Sequence, residues 1–286
     1  MEDLVSTQWL ADHLGTPDLV IVDASSHLPM AGRDAAAEFA EGHIPGAVFL
    51  DLASFLDPAS PVPAAIPDSV QFAERMGGLG IGNAMRVVLY DDSQVRTAAR
   101  AWFILRLHGV QQVAILDGGL GKWKAEGRPL EQGSAAAKSV TFHPVAGTGQ
   151  VTSRADVLAN IDSGTCLVLD ARDAQRFTGA LPDFRPNVAR GHIPGSNNLP
   201  FDQVLNADGT YKDAETLRAL FRQAGIAADR PVITTCGGGV TAAVLLFALH
   251  LSGHDDVALY DGSWGEWGAD PALPKSVTAP PADDAA

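Results

Sequence analysis

Cysteine is scarce in this sequence, since only Cys166 and Cys236 among its 286 residues carry a thiol. Two cysteines cannot build a disulfide scaffold, and neither lies in a CxxC or Cys/His spacing typical of a bound metal. The sequence therefore predicts no metal site, and each thiol has to be interpreted alone. Cys166 lies inside a strand pattern, which favours a structural role.

Basic residues and long apolar runs are also few. The chain has 20 Lys and Arg against 34 Asp and Glu, a formal net charge of −14. This balance argues against a broad surface for nucleic acid or an anionic membrane, so attraction to an anionic substrate would have to be local. The longest apolar run, at about residues 240 to 251, is too short to span a bilayer. The opening MEDLVSTQWL has acids where a secretory signal has a basic region, so we expect a cytoplasmic protein.

The sequence does contain an internal repeat, because three segments of the first half recur in the same order in the second half. The matched pairs are LVIVDAS (19–25) and LVLDAR (167–172), GHIPGA (42–47) and GHIPGS (191–196), and VAILDGGLGKW (113–123) and VALYDGSWGEW (257–267). Three ordered matches indicate a duplicated domain.

We predict an N-terminal copy, a linker, a C-terminal copy and a tail. Their predicted boundaries are 1–127, 128–150, 151–268 and 269–286. The linker has little periodicity and many small or turn residues. The tail, with its Pro, Ala and Asp residues, is expected to be disordered.

Each copy alternates short β-branched runs with helical patterns. In the second copy the strand-like runs are CLVLD (166–170), PVITT (231–235) and DVALY (256–260), and the most apolar helical run is VTAAVLLFALHLSG (240–253). Near-continuous apolar strands separated by helices predict a parallel sheet covered on both faces. The predicted fold class is therefore α/β, in two tandem copies, each a parallel sheet with helices on both faces. Ligands bind such sheets where the carboxyl end of a strand turns into a helix.

Cys236 lies at such a place, in the stretch TTCGGGVTAAV (234–244). Three glycines between a strand and a helix allow successive backbone N–H groups to converge on one point, and the helix N-terminus adds a partial positive charge. Such a position favours the thiolate form of a cysteine, and the thiolate is the nucleophile. The alternative is a small buried side chain beside a flexible turn.

The first copy offers an internal comparison for this loop. Aligning 87–100 on 231–244 puts Asp92 opposite Cys236 and replaces the glycines by the residues SQV. The first copy is therefore expected to lack both the nucleophile and the anion-binding loop, and to be non-catalytic.

The duplicated α/β domains, the paired GHIPG motifs, the CGxGVTA loop and the DGxxxxW ending together resemble the tandem-domain rhodanese family of sulfurtransferases, over about residues 5 to 268. The resemblance implies that Cys236 cycles through a persulfide. It would take sulfane sulfur from a small-molecule donor and pass it to a thiol such as thioredoxin, or to cyanide, without a metal or an organic cofactor.

Within that family the loop looks closer to the 3-mercaptopyruvate sulfurtransferases, with CGSGVTA, than to the thiosulfate enzymes, with CRKGVTA. The Arg and Lys of the thiosulfate enzymes hold a sulfonate, and glycines occupy those two positions here. The resemblance also implies two keto-acid-binding arginines nine residues apart, which RFTGALPDFR supplies as Arg176 and Arg185. A planar guanidinium can pair a carboxylate bidentately. The implied substrate-binding residues are Arg176, Arg185, Gly237, Gly238, Gly239 and Val240.

The resemblance further implies a proton relay, for which the family usually has a Ser or Thr two residues after the cysteine. That residue is Gly238 here, so turnover could be slower, or Thr241 or a water could substitute. The other members of the relay would be His43 and Asp34 of the first copy. The same histidine recurs as His192 in the second GHIPG motif, which leaves open a turn-stabilising role in both copies.

Alternative functions remain at this point. A cysteine phosphatase needs an Arg six residues after the cysteine, and that residue is Ala242. A thiosulfate:cyanide sulfurtransferase is the alternative within the family. A persulfide carrier or binding module without turnover is disfavoured because the cysteine and both arginines are present.

Overall fold

The computed structural model describes residues 1–133 and 137–278 of the chain, which fold into two compact units. The segments of unit 1 are Met1–Ala59, Ile66–Gly149 and Leu205–Tyr211, and those of unit 2 are Ser60–Ala65, Gln150–Val204 and the residues from Lys212 onward. Each unit therefore contains one short segment drawn from the other half of the sequence.

Unit 1 is built on five parallel strands in the order β1-β5-β4-β2-β3. Its elements are β1 (Leu4–Val5), α1 (Thr7–Asp12), β2 (Leu19–Asp23), α2 (Ala35–Glu41), β3 (Val48–Phe49), α3 (Ser69–Gly78), β4 (Arg86–Tyr90), α4 (Thr97–Leu107), β5 (Val113–Leu116) and α5 (Gly119–Ala125). A 3-10 helix, Pro29–Ala31, precedes α2, and another, Phe201–Val204, follows the strand Asn197–Asn198 of unit 2.

Unit 2 repeats this arrangement, with five parallel strands in the order β6-β10-β9-β7-β8. Its elements are β6 (Gln150–Thr152), α6 (Arg154–Ser163), β7 (Leu167–Asp170), α7 (Ala174–Thr178), β8 (Asn197–Asn198), α8 (Ala214–Gln223), β9 (Val232–Thr235), α9 (Val240–Leu251), β10 (Val257–Tyr260) and α10 (Ser263–Trp267). The shared strand order confirms the predicted duplication and the α/β fold class.

The central strands and the helices that follow them form the core of each unit. Every residue of β5, β7 and β9 is buried, so these strands are covered on both faces, as their continuous apolar runs predict. Helix α9 is buried at each position from Ala242 to Leu249, a pattern typical of a helix packed on all sides. No helix among the described residues has the length and apolarity needed to cross a membrane.

The strand register identifies the residue of unit 1 that is equivalent to Cys236. Asp23 at the end of β2 pairs with Tyr90, as Asp170 at the end of β7 pairs with Thr235. Tyr90 and Thr235 are therefore equivalent, and so are the residues that directly follow them in the chain.

The residue equivalent to Cys236 is thus Asp91, and the predicted equivalence of Asp92 is wrong by one position. The loop of unit 1 runs from Asp91 to the helix cap Arg96, whereas that of unit 2 runs from Cys236 to the cap Gly239, so it is two residues longer in unit 1. This insertion is invisible to an alignment of apolar strand residues, which match equally well in either register.

The described part of the predicted linker packs onto unit 1. Glu131 pairs antiparallel with His43, and the Val140 N–H donates to the Gly77 carbonyl at 3.0 Å. Near its second end the Gly147 N–H donates to the Leu107 carbonyl at 3.0 Å, shortly before β6 begins at Gln150. The predicted boundaries of the two copies stay a prediction.

The segment after α10 is ordered as far as Thr278, so the expectation of a disordered tail is wrong for 269–278. The Trp267 indole N–H donates to the Pro274 carbonyl at 2.8 Å, and the Thr278 N–H donates to the Thr178 carbonyl at 3.1 Å. A composition rich in Pro and Ala does not reveal such bonds, because they depend on partners elsewhere in the fold. The rest of the predicted tail, 279–286, lies outside the described residues.

Candidate active site

Cys236 lies between the end of β9 and the start of α9. It is 2% exposed and is followed by the three glycines of the loop. Gly239 caps α9 with a φ of 76°, a left-handed conformation that glycine adopts at no steric cost. Val240 and Thr241 form the first turn of α9 and are half-buried, so the predicted loop residues are continuous in space as well as in sequence.

The side chain of Ser263 fixes both ends of the loop. Its Oγ accepts hydrogen bonds from the backbone N–H groups of Cys236 and Gly239, each at 3.1 Å, and donates to the Tyr260 carbonyl at 2.8 Å. Ser263 is fully buried and has a φ of 51°, which is uncommon for a residue with a side chain. Sequence reasoning missed this residue, although the repeat places it opposite Gly119 in the two DGxxxxW motifs.

The backbone of α10 binds the loop from the same side. The Trp264 N–H donates to the Cys236 carbonyl and the Gly265 N–H donates to the Gly237 carbonyl, both at 2.9 Å. Within the part of the chain that the structure describes, the N–H groups of Gly237 and Gly238 donate to no acceptor. The loop therefore keeps two backbone donors available for an anion beside the cysteine, as its glycine content predicts.

Arg185 lies against this loop. A Cβ atom placed on Gly237 would be 2.8 Å from Arg185 Nη1, and one placed on Gly238 would be 3.1 Å from Nη2. The Asp183 carboxylate orients the arginine, since its Oδ1 accepts from the Arg185 backbone N–H at 2.9 Å and from Nη1 at 3.2 Å. The glycines therefore leave the space that the guanidinium group occupies.

Arg176 is connected to Arg185 through an aromatic ring. The Phe184 ring lies 4.4 Å from the Arg185 guanidinium carbon and 5.7 Å from that of Arg176. The Nε of Arg176 also donates to the Asp173 carboxylate. The structure thus brings both predicted arginines to one aromatic side chain, and Phe184 is a second site residue that sequence reasoning missed.

His43 and Asp34 both have local roles within unit 1. The His43 ring is fully buried, stacks on Phe39 at 3.9 Å and bonds through Nδ1 to the Phe39 carbonyl at 2.7 Å. His192 repeats this arrangement with Phe177, so a turn-stabilising role is common to both copies. The Nε2 of His43 has no hydrogen-bond partner among the described residues.

Asp34 is the N-cap of α2. Its Oδ1 accepts from the backbone N–H groups of Ala36 and Ala37, at 3.0 and 3.1 Å, which satisfies two donors of the first helical turn. The predicted part of Asp34 and His43 in a proton relay remains a prediction.

The second cysteine has an environment that disfavours reaction. Cys166 precedes β7, and burial raises the pKa of its thiol. Its backbone N–H and carbonyl both bond to the side chain of Asn160. These contacts support the predicted structural role. As for metals, no group of three or more His, Cys, Asp or Glu side chains in residues 1–133 and 137–278 is arranged to hold an ion.

Comparison with known proteins assigns the family. The sequence profile of the rhodanese-like domain matches residues 6–126 and 153–270, and the chain belongs to the rhodanese-like family in two tandem copies. A 3-mercaptopyruvate sulfurtransferase of Mus musculus is 39% identical over 92% of this chain and 91% of its own length. One from Escherichia coli strain K12 is 39% identical over 94% of this chain and 96% of its own length.

The fold agrees with a solved structure of this kind. The crystal structure of SseA from Escherichia coli, which is described as a 3-mercaptopyruvate sulfotransferase with the rhodanese fold, is similar with a TM-score of 0.84 and 37% identity, over 92% of this chain and 99% of that one. Together these matches make the present chain an enzyme of the sulfurtransferase type.

Proposed function

We propose that the chain transfers sulfur from 3-mercaptopyruvate to a thiol or to cyanide through a persulfide on Cys236. The observation that carries this proposal is the contact of the Arg185 guanidinium with the glycines that follow the cysteine. It puts a group suited to a carboxylate next to a candidate nucleophile and next to unpaired backbone donors. The near full-length relatives named as 3-mercaptopyruvate sulfurtransferases support the same donor.

The first half-reaction needs no redox partner. The Cys236 thiolate attacks the sulfur of 3-mercaptopyruvate, the S–S bond forms, and the carbon–sulfur bond breaks with its electron pair going to carbon. The carbon fragment leaves as pyruvate enolate. The proton released from the substrate thiol balances the proton that the enolate takes up to become pyruvate, so the net change leaves an anionic persulfide on the enzyme.

The loop and the arginines have separate tasks in this scheme. The N–H groups of Gly237 and Gly238 hydrogen-bond the anionic outer sulfur, because preorganised donors stabilise developing charge most effectively in a site where water is scarce. Arg185 binds the substrate carboxylate, and Arg176, whose guanidinium lies 5.7 Å from the same Phe184 ring, supports it. Transfer of the proton is assigned to Thr241, His43 and Asp34, with Gly238 lacking the hydroxyl that the family usually has there.

The second half-reaction regenerates the enzyme. A thiol such as that of thioredoxin, or cyanide, attacks the outer sulfur and leaves with it, while the electron pair of the S–S bond returns to Cys236 as thiolate. We assign no nucleic-acid or membrane partner to this cycle, and we place the reaction in the cytoplasm. Thiosulfate is the alternative donor, because the same guanidinium beside Gly237 could hold a sulfonate.

The test compares the two donors with cyanide as acceptor, and kcat/KM is taken from thiocyanate formation. We expect a strong preference for 3-mercaptopyruvate and no turnover by Cys236→Ser. Arg185→Lys removes the bidentate contact and should raise the KM for 3-mercaptopyruvate by about 10- to 100-fold.

Arg218→Lys serves as the matched control, since the Arg218 side chain binds the Ser252 carbonyl on another part of unit 2. A higher kcat/KM for thiosulfate would show that thiosulfate, and not 3-mercaptopyruvate, is the preferred donor. Formation of one equivalent of persulfide without recycling would instead indicate a carrier.

A further inference from the structure

In unit 2 a buried arginine neutralises the carboxylate at the end of β7. The Nε of Arg172 donates to both Asp170 oxygens at 3.1 and 3.0 Å, and its Nη2 donates to Oδ2 at 2.6 Å. The same Nη2 donates to the Gly191 carbonyl at 2.9 Å, and the guanidinium lies 4.6 Å from the Trp264 ring centroid. Carboxylate, carbonyl and aromatic ring thus form three sides of a guanidinium site.

Unit 1 contains the equivalent backbone without the arginine. Asp23 ends β2 as Asp170 ends β7, and Ser25 follows it at the spacing of Arg172. Two further equivalents follow from the repeat. Gly42 is equivalent to Gly191, because each precedes the histidine of a GHIPG motif. Leu120 is equivalent to Trp264, because its N–H donates to the Asp91 carbonyl as the Trp264 N–H donates to that of Cys236.

A cavity of 390 Å³ lies in unit 1 at the position that corresponds to the Arg172 side chain of unit 2. Its lining includes all four equivalents, Asp23, Ser25, Gly42 and Leu120. Serine and leucine are much smaller than arginine and tryptophan, which accounts for the space. The volume is within the range of about 300 to 1,000 Å³ that is typical of small-molecule sites.

The polar groups at the bottom of this cavity lack a cation. Asp23 is 2% exposed, its Oδ1 accepts from the Ser25 N–H at 2.9 Å, and it forms no ion pair with any described residue. Burial raises the pKa of Asp23 to about 6, and no positive group opposes that effect. The Gly42 carbonyl, unlike that of Gly191, accepts no hydrogen bond within residues 1–133 and 137–278.

The charges at the rim do not supply the missing cation. Arg33 is paired with both oxygens of Glu38 at 2.8 and 2.7 Å and with Asp92 at 3.2 Å, and Lys124 is 3.5 Å from Asp92. These four residues balance one another. The remaining acids of the lining, Asp23 and Glu41, leave a net negative charge in the cavity.

We propose that this cavity binds a small molecule that carries a guanidinium group. The planar group would donate two parallel hydrogen bonds to Asp23 and a third to the Gly42 carbonyl, as Arg172 does with Asp170 and Gly191 in the other copy. Leu120 would contact its face in place of tryptophan. No residue of the cysteine loop is in the lining of this cavity, and the proposal does not depend on the proposed reaction.

Methylguanidinium is the probe, and isothermal titration calorimetry of the whole chain at pH 7.5 and constant ionic strength is the measurement. We expect one site per chain with a dissociation constant on the order of 1 mM, within reach of a ligand with so few heavy atoms. Methylammonium, which cannot make parallel contacts, should bind at least about tenfold more weakly. Equal binding of the two cations, or no saturable binding of either, would overturn the proposal.

Two variants locate the site. Ser25→Arg places an arginine at the position of Arg172 and should abolish binding, while Asp23→Asn should weaken it by at least about tenfold. Asp18→Asn is the matched control, because Asp18 is an exposed carboxylate paired with Arg86 and lies outside the cavity. Unchanged binding in a folded Asp23→Asn protein would overturn the assignment even if Ser25→Arg failed to fold.

Discussion

Replacement of Ser263 by alanine tests whether the loop at Cys236 is held by the contacts described above. The change removes one oxygen that accepts from the Cys236 and Gly239 N–H groups and donates to the Tyr260 carbonyl. An unsatisfied buried polar group costs about 1 to 3 kcal/mol. All three groups are buried, and a water in the space left by the hydroxyl could satisfy only part of them, so we expect a loss of about 2 to 5 kcal/mol in the free energy of unfolding. Alanine at this position keeps the unfavourable φ of 51°.

The same change should slow persulfide formation. The Cys236 and Gly239 N–H groups lie at the two ends of the loop, so without Ser263 Oγ the cysteine and the glycine N–H groups can move relative to the bound substrate. A displacement of about 1 Å can lower the rate by a factor of about 100. Single-turnover release of pyruvate measures this step, and urea denaturation followed by tryptophan fluorescence measures stability.

Ser252→Ala is the matched control for this experiment. Ser252 is also buried, and its Oγ donates only to the Leu249 carbonyl at the far end of α9. We expect about 1 kcal/mol of lost stability there and an unchanged rate. If Ser263→Ala lost no more stability than Ser252→Ala and formed persulfide at the wild-type rate, the contacts would not organise the loop, and the reasoning would be refuted.

Two further outcomes are expected. Phe184→Leu keeps an apolar side chain but removes the ring that both arginines contact, so the KM for the keto acid should rise about fivefold with kcat unchanged. Leu181→Ala on the same loop should change neither KM nor kcat, and a fall in kcat alone in Phe184→Leu would contradict this role. Burial raises the pKa of Asp23 and that of Asp117 to about 6, so the folded state binds more protons than the unfolded state, and stability should decrease as the pH rises from about 4 to 6. Asp23→Asn should therefore stabilise the protein by about 3 kcal/mol at pH 7.5 and by little at pH 4.5, as measured by urea denaturation; an equal effect at both values would contradict the raised pKa.

Much of the architecture could be predicted from local sequence, because each element predicted in one copy can be checked against the matching segment of the other copy. The matched segments carry the strand ends, the GHIPG turns and the last helix, and a parallel sheet has few ways to connect them. The register of the cysteine loop could not be obtained in the same way. Strand residues such as 87–90 and 232–235 are all compatible with burial, so an alignment of the two strands shifted by one residue matches the burial pattern equally well.

The candidate site was predictable where its residues are adjacent in sequence and not where the fold brings them together. Cys236 and its glycines form one motif. Ser263 is 27 residues from the cysteine, and its role depends on how α10 ends up beside the loop. Phe184 was hidden for a different reason, because an exposed phenylalanine in a loop has no meaning until the positions of both arginines are known.

Unit 1 also supplies an argument about the proposed site of unit 2. Asp91, at the position of Cys236, accepts from the Ser93 N–H at 2.9 Å and from the Ala98 N–H at 2.8 Å. Its own carboxylate thus occupies the place between strand and helix where backbone donors converge. In unit 1 this point of the fold is thus filled by the protein's own carboxyl group, whose pKa burial raises. In unit 2 the side chain at this point is a cysteine, and the N–H groups of Gly237 and Gly238 donate to no acceptor among the described residues. These donors are therefore left for an anion that binds and is released, as the proposed persulfide cycle requires.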